Sequence, residues 1–122
     1  MIKDRTIENL LELNDIRYVI DERLGLWVKF EAEKTASDKN RPYGLRYSLT
    51  LHDRHNRRIM GFDNSHAVEY GGKKGVAPRR VYDHWHRDES DEGRPYHYVN
   101  AGKLIEDFWH QVSKILKQLD EG

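Results

Sequence analysis

Leu26, Val28, Phe30 and Ala32 alternate with Trp27, Lys29, Glu31 and Glu33. A period of two marks a strand with one buried face. Leu45, Tyr47, Leu49 and Leu51 alternate in the same way with Arg46, Ser48 and Thr50. Residues 16–20 read as a partner strand that turns through residues 22–25 into the first of these. Asn56 tolerates the left-handed backbone of a hairpin turn, so residues 58–62 are expected to return as a strand. Residues 81–86 and 96–99 read as two further strands, with the acidic turn 88–95 between them.

Two stretches carry a helical period instead. Ile7, Leu10 and Leu11 are spaced i, i+3, i+4, which predicts a short amphipathic helix within residues 3–13. Leu104, Ile105, Phe108, Trp109, Val112, Ile115, Leu116 and Leu119 form one apolar face of a long C-terminal helix. Asn100 is suited to cap its start. Residues 35–44 read as a loop. Residues 64–79, with Gly71, Gly72, Gly75 and Pro78, read as the longest break and a mobile loop. The expected fold is α+β, one domain over residues 1–122. It has one mostly antiparallel sheet of about five or six strands, a short N-terminal helix and a long C-terminal helix.

Composition narrows the chemistry. The chain has 122 residues and no cysteine, which excludes disulfides, a thiol nucleophile and thiolate metal sites. No apolar run approaches the ~20 residues of a membrane helix, and the first residues lack the apolar segment of a signal peptide. A cytoplasmic protein with no membrane contact is therefore expected. Lys+Arg and Asp+Glu both number 21, so the formal charge is zero. The distribution is uneven: residues 41–87 carry ten basic and four acidic side chains, and the flanks are acidic. A positive middle of this kind suits a phosphate-bearing ligand.

The densest chemistry lies in residues 81–100, VYDHWHRDESDEGRPYHYVN. As a strand, residues 81–86 place Val81 and Trp85 toward the core and Tyr82, His84 and His86 on an open face. Asp83 then falls on the apolar side and needs a partner there, such as Arg79. Two histidines beside tyrosine and arginine fit metal-independent RNA cleavage. Imidazole titrates near neutrality and serves as base and acid, and guanidinium stabilises the phosphorane. His84 and His86 are the candidate acid and base. Arg87 and Arg46 are the candidate phosphate clamps, with Arg80 a further choice. Tyr82, Arg94, Tyr96, Asp63, Asn64 and His66 are candidate substrate contacts or supports. A metal site built from His84 and His86 with Asp63, His66 or Asp83 stays open on the residues alone, as does an ordinary solvated surface. Among phosphate and hydrolase motifs, no Walker or Rossmann loop, G-x-S-x-G or H-E-x-x-H occurs.

Several blocks taken together resemble the TumE-type toxins of bacterial toxin–antitoxin modules. They are the Gly61-Phe62-Asp63-Asn64 turn, the Asp83-His84-x-His86-Arg87 strand, the Arg94-Pro95-Tyr96 turn and the Asp107-Phe108-Trp109 helix. The resemblance spans residues 43–119 in order; residues 1–42 carry little of it. It implies a small toxin encoded beside a cognate antitoxin with a helix-turn-helix DNA-binding domain. Toxins in this setting commonly cut RNA or block translation, so RNA, free or on the ribosome, is the implied target. No cofactor or metal is expected for the leading reading. A non-catalytic binding protein that docks an antitoxin or the translation machinery is the competing class, and a metal-dependent nuclease the third.

Overall fold

The structure is a computed structural model that describes residues 4–121. It confirms the α+β class. Helix α1 (Ile7–Glu12) precedes strands β1 (Ile16–Asp21), β2 (Leu26–Lys34), β3 (Leu45–His52) and β4 (Arg58–Asp63). Strands β5 (Val68–Tyr70), β6 (Arg79–Val81), β7 (His84–His86) and β8 (Arg94–Pro95) follow, and helix α2 (Ala101–Glu121) ends the chain. Six strands form one antiparallel sheet in the order β1-β2-β3-β4-β7-β8, while β5 and β6 pair with each other in a small separate hairpin.

The alternating positions became the core. Val28, Phe30, Leu49, Leu51 and Met60 are fully buried on one face of the sheet, and Leu104 and Phe108 of α2 pack onto them. Phe108 meets Phe30 edge-on at 5.5 Å and Phe62 at 6.3 Å between ring centroids. This arrangement lets the rings bury large area with favourable quadrupole contacts. Leu10 of α1 is also fully buried in this layer.

The start of α2 is tied to the N-terminal segment. The Asn100 side chain accepts from the Lys103 amide at 2.8 Å, as its cap role requires. Asp4 accepts from the Ala101 amide at 2.9 Å, and Thr6 Oγ1 accepts from the Gly102 amide at 2.7 Å. Three amides that a helix leaves without partners are thus satisfied, two of them by residues far away in sequence.

Three readings of the second half need correction. Residues 64–79 are not one loop, because β5 and β6 emerge from them as a hairpin arm. Residues 81–86 are not one strand: the chain leaves the arm after Val81 and enters the main sheet at His84. The break is fixed by one local bond and one distant one. The Tyr82 carbonyl is taken by Nδ1 of His84 at 2.7 Å, and Asp83 turns to accept from the Tyr47 hydroxyl at 2.7 Å. Finally, residues 96–99 are not a strand. The pairing segment is Arg94–Pro95, at the sheet edge where a proline is tolerated.

Candidate functional site

Cross-strand register builds the face of the sheet that points away from α2. Ser48 pairs with Asp63 and Asp63 with His84 in one row. Thr50 pairs with Gly61 and Gly61 with His86 in the next. A register shift between Leu51 and His52 places His52 opposite Arg58. Cross-strand neighbours share a face, so Arg58, Asp63, His84 and His86 lie on the same side. Gly61 matters here because it has no side chain. A β-carbon there would stand 3.4 Å from Cδ of Arg58, so the arginine stem runs over the glycine toward His86.

His84 and His86 do share a face, but the face is not open. His84 is 0% exposed and His86 4%. The turn through Gly93 closes over them, with Val68 packed beside that glycine, which alternation within a strand cannot foretell. The two imidazoles meet edge-on with centroids 5.0 Å apart, and the exposed His66 ring lies 5.3 Å from His84.

The tautomers follow from the partners. Nδ1 of His84 faces the Tyr82 carbonyl at 2.7 Å, and Nδ1 of His86 faces the Asp91 carbonyl at 2.7 Å. A carbonyl only accepts, so each Nδ1 carries the hydrogen and donates it. In the neutral rings both Nε2 atoms then hold bare lone pairs. Both are buried and have no hydrogen-bond partner. Burial favours the neutral rings and pushes both histidines below their ordinary value. The Tyr82 carbonyl and the nearby Asp63 charge partly restore the proton affinity of His84. The positive charge of Arg58 further disfavours a proton on His86, against the pull of the Asp91 carbonyl and carboxylate.

The other candidate residues divide by place. Asp63 is buried and accepts at Oδ1 from the Ser65 hydroxyl at 2.7 Å, which leaves it beside His84. Tyr82 lies between two cations, with Arg41 5.1 Å and Arg80 5.9 Å from its ring centre. Arg87 is exposed at the mouth of a cleft of about 530 Å³ that also reaches Tyr70, Asp91 and Gly93. Arg94 bonds Asp91 at 2.8 Å and lies 5.5 Å over Trp85. Its partner therefore belongs to the turn that covers the histidines.

Three candidates are held in other work. Asn64 is 3% exposed; its side chain accepts from the Tyr47 amide and donates to the Leu45 carbonyl, both at 2.8 Å. It extends the β3 ladder where β4 has ended. Tyr96 lies on the α2 side of the sheet, donates to Asp107 at 2.6 Å and packs edge-on against Phe62. Arg46 faces Glu33 at 3.4 Å in an acidic groove that also holds Glu31 and Asp15 and reaches Ser48 and Ser65 beside Asp63. Asp83 has its buried partner in Tyr47 rather than Arg79.

Arg58 is the residue the sequence reading missed. It sits in a strand of otherwise ordinary composition, and its Nε is buried without a partner. The signal was faint: an arginine that opens the strand after the Asn56 turn, three residues before a strand glycine. Among the described residues no three His, Asp or Glu side chains converge to hold a metal ion. No helix among them is long and apolar enough to cross a membrane.

Neither a curated protein nor a solved structure matches the chain. The family model described as toxin TumE matches residues 8–116, a span that takes in most of each helix, the whole six-stranded sheet and the histidine pair. The chain therefore belongs to the TumE toxin family.

Proposed function

We propose that this chain is the toxin of a toxin–antitoxin pair and arrests growth by metal-independent cleavage of RNA at His84 and His86. The observation that carries the reading is the pair of bare, buried Nε2 atoms. Leaving two polar nitrogens buried without partners costs about 1–3 kcal/mol each, and such groups are retained where they serve a reaction. Each ring is oriented by a backbone carbonyl, so both lone pairs are fixed in advance.

The chemistry is a transesterification. One Nε2 takes the proton of a ribose 2′-hydroxyl, and the 2′-oxygen attacks phosphorus. The bond to the 5′-oxygen breaks, and that oxygen takes the proton that the second imidazole acquired at Nε2 from water as the phosphodiester bound. The products are a 2′,3′-cyclic phosphate and a free 5′-hydroxyl. His86, beside Arg58, suits the base, and His84, beside Asp63, suits the acid. The negative charge of the entering phosphodiester offsets the burial that keeps the acid neutral in the free protein. Arg58 is the cation placed for the phosphorane, a role the sequence had suggested for Arg46 and Arg87. RNA gains entry when the turn that carries Gly93 lifts.

A toxin of this family implies a cognate antitoxin. We take it to be a helix-turn-helix protein from the neighbouring gene, acting in the cytoplasm. The burial of His84 and His86 favours a second reading, in which the pair only supports the fold and the chain acts by binding. Induced expression with RNA integrity followed over time separates the two. His84→Ala and His86→Ala should each relieve growth arrest, and purified chain should yield cyclic-phosphate ends in the presence of a chelator. A soluble, folded double variant as toxic as the parent would remove the mechanism. Purified chain that binds its antitoxin but cuts no RNA, with or without ribosomes, would select the second reading.

A further inference from the structure

The β5–β6 arm is unused by the chemistry above. Residues 71–80 are exposed at every position, yet the hairpin is ordered by pairing of Val68 with Val81 and a bridge between Lys73 and Val76. From His66 to Tyr82 the chain carries four cations, Lys73, Lys74, Arg79 and Arg80, against the one carboxylate of Glu69. None of the four is ion-paired with a carboxylate among the described residues.

The root of the arm is more highly organised. Arg41 and Arg80 flank the Tyr82 ring at 5.1 and 5.9 Å. Arg41 is anchored by donating to the Asn64 carbonyl at 2.9 Å and the Ser65 carbonyl at 2.8 Å. That places the stack against the segment of Asp63 and His66. The backbone of Tyr82 in turn holds His84. Arm, stack and histidine pair are therefore continuous.

We infer that the β5–β6 arm and the Arg41–Tyr82–Arg80 stack form a docking surface for the phosphate backbone of single-stranded RNA. The inference rests on the proposed reading of the chain as an RNA-cleaving toxin and supplies that site with its substrate surface. Unpaired guanidinium and ammonium groups on a projecting hairpin bind phosphates and release counterions. Tyr70, at 44% exposure, offers a face on which a base stacks without regard to sequence. The arm lacks the apolar centre a protein partner would need: Val76 is the one large aliphatic side chain near its tip, beside the small Ala77 and Pro78.

The test uses the whole chain and a fluorescent 2′-O-methyl RNA oligomer, which binds but cannot be cut. Anisotropy should report binding by the parent. The variant Lys73→Ala/Lys74→Ala/Arg79→Ala/Arg80→Ala should bind at least about tenfold more weakly at low salt, with its salt slope shallower by about 0.7 per lost contact. Its thermal melting should be unchanged, because all four positions are exposed. Parental affinity in the variant, or no binding by the parent, overturns the surface. So does a variant that keeps RNA and loses the antitoxin, or a parent that prefers anionic vesicles to the oligomer. Failure of the cleavage reading has a different signature: histidine variants that still cut RNA, with the arm's contribution to binding intact.

Discussion

A β-carbon on Gly93 would stand 3.2 Å from Cδ2 of His84, and equally close to Cε1 of His86. The glycine has φ +119°, a conformation that side chains rarely adopt, and it is buried. Close approach and backbone angle both require glycine there. Gly93→Ala should destabilise the fold by about 1–3 kcal/mol. It should also push the covering turn off His86, whose Nδ1 bonds the Asp91 carbonyl in that turn. Urea unfolding checks the first effect, and the ring NMR shifts of His86 check the second.

Acid should weaken the protein earlier than carboxylates alone require. Burial lowers His84 and His86 below their ordinary value of 6.5, so the unfolded chain binds more protons than the folded one as pH falls. The sign gives full stability above pH 6.5, lost progressively as pH drops toward the lowered folded values. His52 is shifted the same way, first by burial, and adds to the slope. Unfolding free energies measured from pH 8 to 5 should show the decline, and His84→Gln/His86→Gln should flatten it.

Arg58→Gln should separate the charge of the site from its shape. The Arg58 charge disfavours a proton on His86, so its loss should raise the His86 pKa. An NMR titration of the imidazoles reads that shift directly. Cleavage by the variant should fall by about 10²-fold if the guanidinium meets the phosphorane. A fall in cleavage without the His86 shift would mean that Arg58 lies farther from the pair than the register implies.

Asn64 and Tyr96 should behave as structural residues. Asn64→Ala strands the Tyr47 amide and the Leu45 carbonyl, both in the buried β3 ladder. The cost should be about 2–4 kcal/mol. Tyr96→Phe removes the bond to Asp107 and should cost about 1–2 kcal/mol. Calorimetric melts check both, and the folded Tyr96→Phe protein should cut RNA at the parental rate.

Asp4→Asn tests the tie between the chain start and α2. Burial works to raise the Asp4 carboxyl, but bonds from Thr6, the Ala101 amide and Tyr98 outweigh it and hold the group below its ordinary value. A depressed carboxylate contributes stability above its unfolded pKa, and that contribution is lost as pH falls through the folded value. The substitution should cost about 1 kcal/mol near neutrality and nothing at strongly acid pH. Helix unfolding followed by circular dichroism at both pH values checks it.

Much of the architecture was readable because its physics is local. Alternation in β2 and β3 and the helical stripe of α2 follow from which side chains avoid water, and Asn56 and Asn100 mark a turn and a cap by their own chemistry. Of the two residues expected to face inward, Trp85 kept its place apart from His84 and His86, whereas Val81 left the main sheet for the β5–β6 hairpin, where it pairs with Val68. The break at Tyr82 and Asp83 was not readable. It depends on a hydroxyl 36 residues away, that of Tyr47, and no local pattern announces such a partner.

The sequence by itself determined the layers: a sheet with one apolar face, two helices to cover it, and a histidine pair on the side away from them. Tertiary structure decided what that second side became. The turn through Gly93 closed it from water, a register shift brought Arg58 across Gly61, and two carbonyls chose the ring tautomers. Each of these is a meeting of residues distant along the chain or a matter of register, and neither periodicity nor composition encodes such meetings.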